Sequence, residues 1–170
     1  MRVGPTLEQL REAYPDTVRI VYKMHPLPSH PFAQIAAQAA LAAQQQGKFM
    51  EMHEKILGNI RNFNSLSTAK ATELGLGAAQ ARSPQAQKAM FTDFAQEMGL
   101  DTGRFQIDMD DPKLIARIKE ETREVVAVGA GGTPASFVNG KYLRGAQPFT
   151  AFKKLVDQAL GGSGTTAANP

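Results

Sequence analysis

Cysteine is absent from all 170 residues of this chain, and so is tryptophan. Without cysteine the chain has no thiol that could form a disulfide, ligate a metal or perform thiol exchange, and it carries no cysteine-based indication of redox compartment. No apolar run approaches the roughly 20 residues that cross a bilayer. No charged-then-apolar leader precedes the first predicted helix, so we expect neither a signal peptide nor a membrane span in this chain.

Excess charge of one sign is also absent. The 19 basic and 16 acidic residues give a net charge of +3. They alternate along the predicted helices, which indicates a solvated surface and no stripe for nucleic acid. The length suits one domain that buries about 70% of its unfolded surface. We therefore expect a single domain over residues 1–160 and a disordered Gly/Ser/Thr tail at 161–170.

Apolar periodicity and turn residues predict a chain that is mainly helical. Residues 17–23 are β-branched and aromatic with short alternation, which predicts a strand. The prolines of residues 24–30 predict an extended loop. Helices are predicted at residues 1–14, 29–46, 48–60, 67–74, 84–98, 101–109, 112–128 and 148–160, with Ser83 and Asp111 as N-caps of two of them. The order of elements predicts an α/β fold with a large helical block.

The stretch from Gly131 to Gly140 joins a glycine-rich bend, an X-Pro bond and an Asn-Gly pair. Pro134 cannot donate to a strand ladder, so it belongs at the first residue of a strand. Asn139-Gly140 tolerates the positive φ angles of a type I′ turn, which predicts that residues 137–138 form a hairpin with 141–143. These patterns alone favour a loop that leads into a hairpin.

The sequence Gly-Thr-Pro-Ala-Ser-Phe-Val-Asn-Gly at 132–140, followed by Leu-Arg-Gly-Ala-Gln-Pro at 143–148, resembles the closing half of DsbA-like thioredoxin-fold thiol–disulfide oxidoreductases. Residues 3–7, 18–28 and 47–53 resemble, in the family's order, the helix after its redox motif, the next strand and its helical insertion. The resemblance implies a thioredoxin-like α/β fold with a helical insertion at about residues 31–128. It also implies that the family's first strand and Cys-Pro-x-Cys motif are missing and would precede Met1.

In this family the Thr-Pro bond is cis and presents main-chain groups to an extended substrate beside the cysteine pair. Matched residue by residue, the resemblance implies a substrate-binding site at Gly132, Thr133, Pro134 and Ala135. It implies no catalytic residue in this chain, no cofactor and no metal. The expected partners are extended polypeptide substrates or a redox partner protein. The expected function is disulfide exchange in the periplasm or another extracytoplasmic compartment for a full-length form, with this cysteine-free chain inactive in exchange.

Two other functions stay open. Glutathione-transferase kappa-type and related isomerase enzymes share the inserted thioredoxin fold and need no cysteine pair. The non-enzymatic alternative is a module without redox activity that retains the peptide-binding groove of the family and holds a partner there. A missing central strand would leave rows of unpaired backbone groups, so we also expect self-association through the open sheet.

Other residue types that often carry chemistry favour structural roles here. The histidines lack a second ligand type at zinc-like spacing, which favours surface or capping roles. The resemblance nevertheless places His25 and His30 near the active-site groove of the family. The aspartates near residue 110 lack the spacing of a calcium loop and are interpreted as helix-start charges. These residues are His25, His30, His53, Asp108, Asp110 and Asp111.

Overall fold

The structure is a computed structural model that describes residues 3–161. The first two residues of the predicted helix at 1–14, and all but the first residue of the predicted tail at 161–170, lie outside the described residues. The described elements are α1 (Gly4–Ala13), α2 (Ala33–Gln44), α3 (Phe49–Asn59), α4 (Phe63–Glu73), α5 (Pro84–Glu97), α6 (Thr102–Met109), α7 (Pro112–Ala127), β1 (Ala135–Val138), β2 (Lys141–Arg144) and α8 (Phe149–Gly161). Short 3₁₀ turns lie at Ile60–Asn62 and Ala78–Gln80.

These elements divide into two compact units. The hairpin unit comprises residues 3–22 and 126–161 and contains α1, β1, β2 and α8. The helical unit comprises residues 23–125 and contains α2 to α6 with most of α7. The helical unit has nearly the bounds expected of an insertion at about 31–128. That it is an insertion into a thioredoxin-like fold stays a prediction, as does the single domain over 1–160.

The helical unit has a core of phenylalanine, methionine and alanine side chains. Three phenylalanine rings contact one another edge to face, with Phe91 at 5.5 Å from Phe63 and 5.8 Å from Phe94. This arrangement is favourable because the positive edge of one ring meets the negative face of the next. Ala39 and Ala42 of α2 are fully buried, and their small side chains let neighbouring helices approach closely.

Side chains cap the starts of three helices, as predicted for Ser83 and Asp111. The Ser83 hydroxyl accepts a hydrogen bond from the Ala86 N–H at 3.2 Å, and the Asp101 carboxylate accepts one from the Arg104 N–H at 2.9 Å. Asp111 accepts a backbone hydrogen bond at 2.8 Å at the start of α7. Each bond pairs a helix-terminal N–H that has no partner inside the helix. The predicted N-caps Ser83 of α5 and Asp111 of α7 are thereby confirmed, and the Asp101 cap of α6 is an addition to them.

Two predicted helix starts are wrong. The helix expected from residue 29 begins at Ala33, because residues 28–32 form consecutive turns in which the His30 N–H bonds to the Leu27 carbonyl and the Ala33 N–H to the His30 carbonyl. The helix expected from residue 67 begins four residues earlier, at Phe63. Phe63 is buried in the core, and this tertiary packing outweighs the weak helix propensity of the polar residues that follow it.

The predicted strand at residues 17–23 is also wrong. Residues 18–23 are not part of a strand, and Val21 is 63% exposed. A strand requires a neighbour with which to exchange backbone hydrogen bonds, and in residues 3–161 the sheet contains β1 and β2 alone. β-Branched side chains pack well on a pleated sheet, but they do not make a segment a strand when no sheet is there to join.

The predicted hairpin is confirmed. β1 and β2 pair antiparallel, with Val138 opposite Lys141 across the turn. Asn139 and Gly140 have φ angles of 44° and 81°, the positive values that a type I′ turn requires. On one face of the hairpin, Val138 and Leu143 pack into the hairpin unit's core. The buried residues of that core are Val3, Leu10, Phe152 and Val156.

Candidate substrate-binding edge

The four predicted site residues form the segment that leads into β1. Gly132 and Thr133 are exposed, whereas Pro134 and Ala135 are half-buried. The Thr133–Pro134 peptide bond is cis, and the Pro134 carbonyl accepts a hydrogen bond from the Gly145 N–H at 3.0 Å. This bond extends the pairing of β1 and β2 by one position and so fixes the position of residues 132–134 relative to the hairpin.

The strand register determines which backbone groups of β1 remain open. In an antiparallel pair, the N–H and C=O of one residue point to the partner strand and those of the next point away. Since Pro134 bonds to Gly145 and Val138 is paired beside the turn, Ala135 and Phe137 direct their N–H and C=O groups away from β2. In the described part of the chain this edge has no neighbouring strand. It is therefore a site at which an extended segment can add as a third strand.

An exposed aromatic pair lies on the outer face of the same hairpin. Phe137 and Tyr142 are cross-strand partners whose ring centroids are 4.9 Å apart with 23° between the ring planes. Ala135 faces Arg144 one pair further from the turn on this face. Three residues of this face are not among the site residues predicted from the sequence: Phe137, Tyr142 and Arg144. The signal was present, because an Asn-Gly turn fixes the register that pairs 137 with 142 and 135 with 144.

The three histidines all lie in the helical unit. His53 stacks on Phe49 at a centroid distance of 5.7 Å, and burial lowers its pKa from 6.5 against a smaller, opposite effect of Glu54. His30 is exposed, as expected for a surface residue. The relation of His25 and His30 to the substrate edge stays a prediction.

The surface or capping role expected for His25 is wrong. Both of its ring nitrogens are buried and have no hydrogen-bond partner among the described residues. The loop that carries His25 is fastened to α7, because the Met24 N–H donates to the Glu121 carboxylate at 2.6 Å and the Met24 carbonyl accepts from the Thr122 hydroxyl at 3.5 Å. These two bonds hold the loop against the helix and bring the ring out of solvent.

The helix-start role expected of the aspartates near residue 110 is confirmed for Asp111 and wrong for Asp108, which lies in the last turn of α6. Asp111 caps α7, Asp110 forms an ion pair with Lys88, and Asp108 lies 3.5 Å from Arg104 on the same helix. Within residues 3–161 no group of three or more histidines, aspartates and glutamates is arranged to hold a metal ion. The same residues contain no helix with the length and apolar character that crossing a membrane needs.

Comparison with known proteins gives two kinds of match. Residues 80–157 match the family model described as a DSBA-like thioredoxin domain. The Na(+)/H(+) antiporter NhaA of Herminiimonas arsenicoxydans is 28% identical over 158 residues, which are 93% of this chain and 21% of that protein. The Na(+)/H(+) antiporter NhaA 1 of Salinispora arenicola (strain CNS-205) is 30% identical over 163 residues, which are 94% of this chain and 22% of that protein.

The chain thus spans about a fifth of the length of these curated relatives. No solved structure gives a significant match. The family match begins just before α5 and ends within α8, so it includes the hairpin and the predicted site residues. The resemblance inferred from the sequence is confirmed over residues 80–157, which match the model of a DSBA-like thioredoxin domain.

Proposed function

We propose that this chain is the polypeptide-binding part of a DsbA-like thiol–disulfide oxidoreductase and that it binds an extended segment along the open edge of β1. The observation that carries the proposal is the edge at Ala135 and Phe137, which has no neighbouring strand within residues 3–161 and lies in a region that matches the family. The N–H and C=O groups of these two residues would exchange main-chain hydrogen bonds with the bound segment. Gly132 and Thr133, both exposed, would border its end.

In this proposal the chain contributes binding, and disulfide exchange requires thiols from elsewhere. Exchange proceeds by attack of a thiolate on a disulfide sulfur through a mixed disulfide, and none of the 170 residues is a cysteine. The purified chain should therefore fail to catalyse the reduction of insulin by dithiothreitol. Catalysed turnover by the chain alone would contradict the proposal. The compartment we propose is extracytoplasmic, where protein disulfides form and persist.

The test of binding uses the alternation of hydrogen bonds along a strand. A labelled extended peptide is titrated with the chain and followed by fluorescence anisotropy, in three forms: unmodified, N-methylated at one set of alternate amides, and N-methylated at the other set. Strand addition uses the amides of one set only, so one methylated peptide should lose binding and the other should retain it. Equal binding of both methylated peptides would show that the edge of β1 is not used.

The glutathione-transferase-like alternative is tested in the same preparation. A protein of that kind binds glutathione, so a calorimetric titration should show submillimolar affinity if that alternative is correct. We expect no such binding, because the match over residues 80–157 is to the DSBA-like domain. Glutathione binding together with failure of every extended peptide would favour the transferase.

A second candidate function follows from the relatives. Proteins named as Na(+)/H(+) antiporters contain a region similar to 93–94% of this chain. We propose as the alternative that the chain acts as an accessory domain of a cation–proton antiporter. The test is Na⁺-dependent proton exchange in vesicles that contain such an antiporter, with and without added chain. An unchanged rate, with no association of the chain with the vesicle protein, would exclude this function.

A further inference from the structure

His25 carries two polar atoms that are buried without a partner. Its ring nitrogens, Nδ1 and Nε2, are both covered, and neither forms a hydrogen bond within the described part of the chain. In every protonation state an imidazole has at least one N–H donor, and a buried donor without a partner makes folding less favourable. The residue as a whole is only half-buried, so the ring lies near the surface with its nitrogens turned inward. Such groups are rare in native proteins, and each one needs a specific cause.

The segment that carries this ring is fastened to α7 at the residue beside it. This segment, the strap, comprises residues 23–28. The Met24 N–H donates to the Glu121 carboxylate at 2.6 Å, and the Met24 carbonyl accepts from the Thr122 hydroxyl at 3.5 Å. The Met24 side chain packs against a buried cluster of α2 and α7 that consists of Ala37, Leu41, Leu114 and Ile118. The strap is therefore held mainly through Met24.

The polar contacts of the strap differ in strength. Glu121 is 8% exposed, and its second oxygen accepts a hydrogen bond from Arg117 Nε at 2.8 Å. The carboxylate is thus fixed in position where it meets the Met24 N–H, and a carboxylate is a stronger acceptor than a neutral oxygen. The ion pair between Lys23 and Glu124 is about half exposed, so it contributes little. The bond from Met24 to Glu121 is the one whose loss would most affect the position of the strap.

The strap combines a bond that favours its closed position with a ring that favours an open one. In an open position water reaches both nitrogens of His25, which offsets part of the loss of the Met24 bond. We propose that the strap is a conformational device: residues 23–28 detach from α7 and turn the His25 nitrogens to solvent while the helices stay folded. Local openings of this kind require less free energy than global unfolding. The motion lies within the helical unit, and it does not depend on whether the edge of β1 is occupied.

Chemical modification of the original chain tests the opening. Diethyl pyrocarbonate acylates imidazole nitrogens that solvent reaches, and mass spectrometry of proteolytic fragments gives a rate for each histidine. His30 is exposed and should be modified first. His25 should follow at a rate set by the strap, well above the rate at which the slowest backbone amides of α2 exchange with deuterium, which measures global unfolding. Modification of His25 at the global rate alone would overturn the proposal.

A substitution on α7 tests whether the strap controls the exposure of the ring. Glu121→Gln replaces the carboxylate by a neutral acceptor, so it should raise the modification rate of His25 and the deuterium exchange rate of the Met24 amide by about tenfold. Glu120→Gln is the matched control, because Glu120 is an exposed neighbour that pairs with Arg123, and it should leave both rates unchanged. If Glu121→Gln leaves the modification of His25 unchanged, the ring rotates without the strap, and the proposal is wrong.

A substitution of the ring tests the contribution that favours opening. Phenylalanine has a similar size and no nitrogen to leave unpaired, so His25→Phe should slow the exchange of the Met24 amide by about tenfold. It should also raise the midpoint of urea unfolding. His30→Phe is the control and should leave the exchange unchanged, because His30 is exposed. Unchanged or faster exchange in His25→Phe would overturn the proposal. If this variant does not fold, the modification rates of the original chain and of Glu121→Gln decide.

Discussion

The two units of this protein use aromatic side chains in opposite ways. In the helical unit, Phe91 is fully buried and contacts two other rings edge to face. In the hairpin unit, the stacked rings of Phe137 and Tyr142 remain exposed. The buried rings replace water by close-packed side chains and so stabilise the fold. The exposed rings, at 44% and 40% exposure, leave less than half of that gain to be obtained from a partner. The difference teaches that ring contacts alone do not show whether an aromatic cluster serves stability or binding, whereas burial does.

The largest effect tests this comparison directly. Phe91→Ala should lower the free energy of unfolding by about 3–5 kcal/mol, because it removes a buried ring and leaves a cavity. Phe137→Ala is the matched control and should lower it by about 1 kcal/mol or less. Urea unfolding followed by circular dichroism measures both. Equal destabilisation by the two substitutions would break the contrast between the units.

The next effect concerns the turn on which the hairpin depends. Gly140 has a φ angle of 81°, and a side chain in this left-handed region costs about 1–2 kcal/mol. Gly140→Ala should therefore destabilise the protein by about that amount. Gly131→Ala is the control, because its φ angle is not positive and an added Cβ would meet no atom within 4 Å. If the unfolding midpoints of the two variants coincide, Gly140 does not have a positive φ angle in the folded protein.

A smaller effect sharpens the account of the helical unit. Ser83→Ala removes the acceptor of the Ala86 N–H at the start of α5 and should destabilise the protein by about 1 kcal/mol. Ser83→Asp retains an acceptor and adds a negative charge at the helix N-terminus, so it should restore the stability. Chemical denaturation of both variants gives the difference. A neutral Ser83→Ala would mean that packing alone positions this helix.

The smallest effect is a dependence on pH. Burial lowers the pKa of His53 in the folded state below its value of 6.5 in the unfolded state. The unfolded chain therefore binds a proton at His53 more readily than the folded chain does. The contribution of neutral, buried His53 to the free energy of unfolding is fully present above pH 6.5 and falls as the pH drops toward the folded-state pKa. Comparing urea midpoints at pH 7.5 and 5.5 should show a smaller loss for His53→Gln than for the original chain. An unchanged pH dependence in the variant would exclude this cause.

Local patterns predicted much of the fold because their causes lie within a few residues. The type I′ turn follows from the φ angles that Asn139 and Gly140 tolerate, and the start of α5 follows from the hydroxyl of Ser83. The prediction of a strand at residues 17–23 was wrong because strand formation does not depend on local sequence alone. Its β-branched residues satisfied the local pattern, but strand formation depends on a neighbour that residues 3–161 do not supply. The predicted start of α4 was wrong because the burial of Phe63 depends on the packing of the whole helical unit.

The same distinction between local and tertiary causes holds for the candidate site. The segment Gly132–Ala135 was identified from the sequence, because the X-Pro bond and the motif around it are local. By itself, the sequence also determined that no thiol chemistry resides in this chain and that the chain turns back at Asn139-Gly140. Only the tertiary structure decided that Val138 and Leu143 enter a core while Phe137 and Tyr142 stay exposed. The reason is that strand alternation assigns side chains to two faces, and which face is covered depends on where α1 and α8 pack.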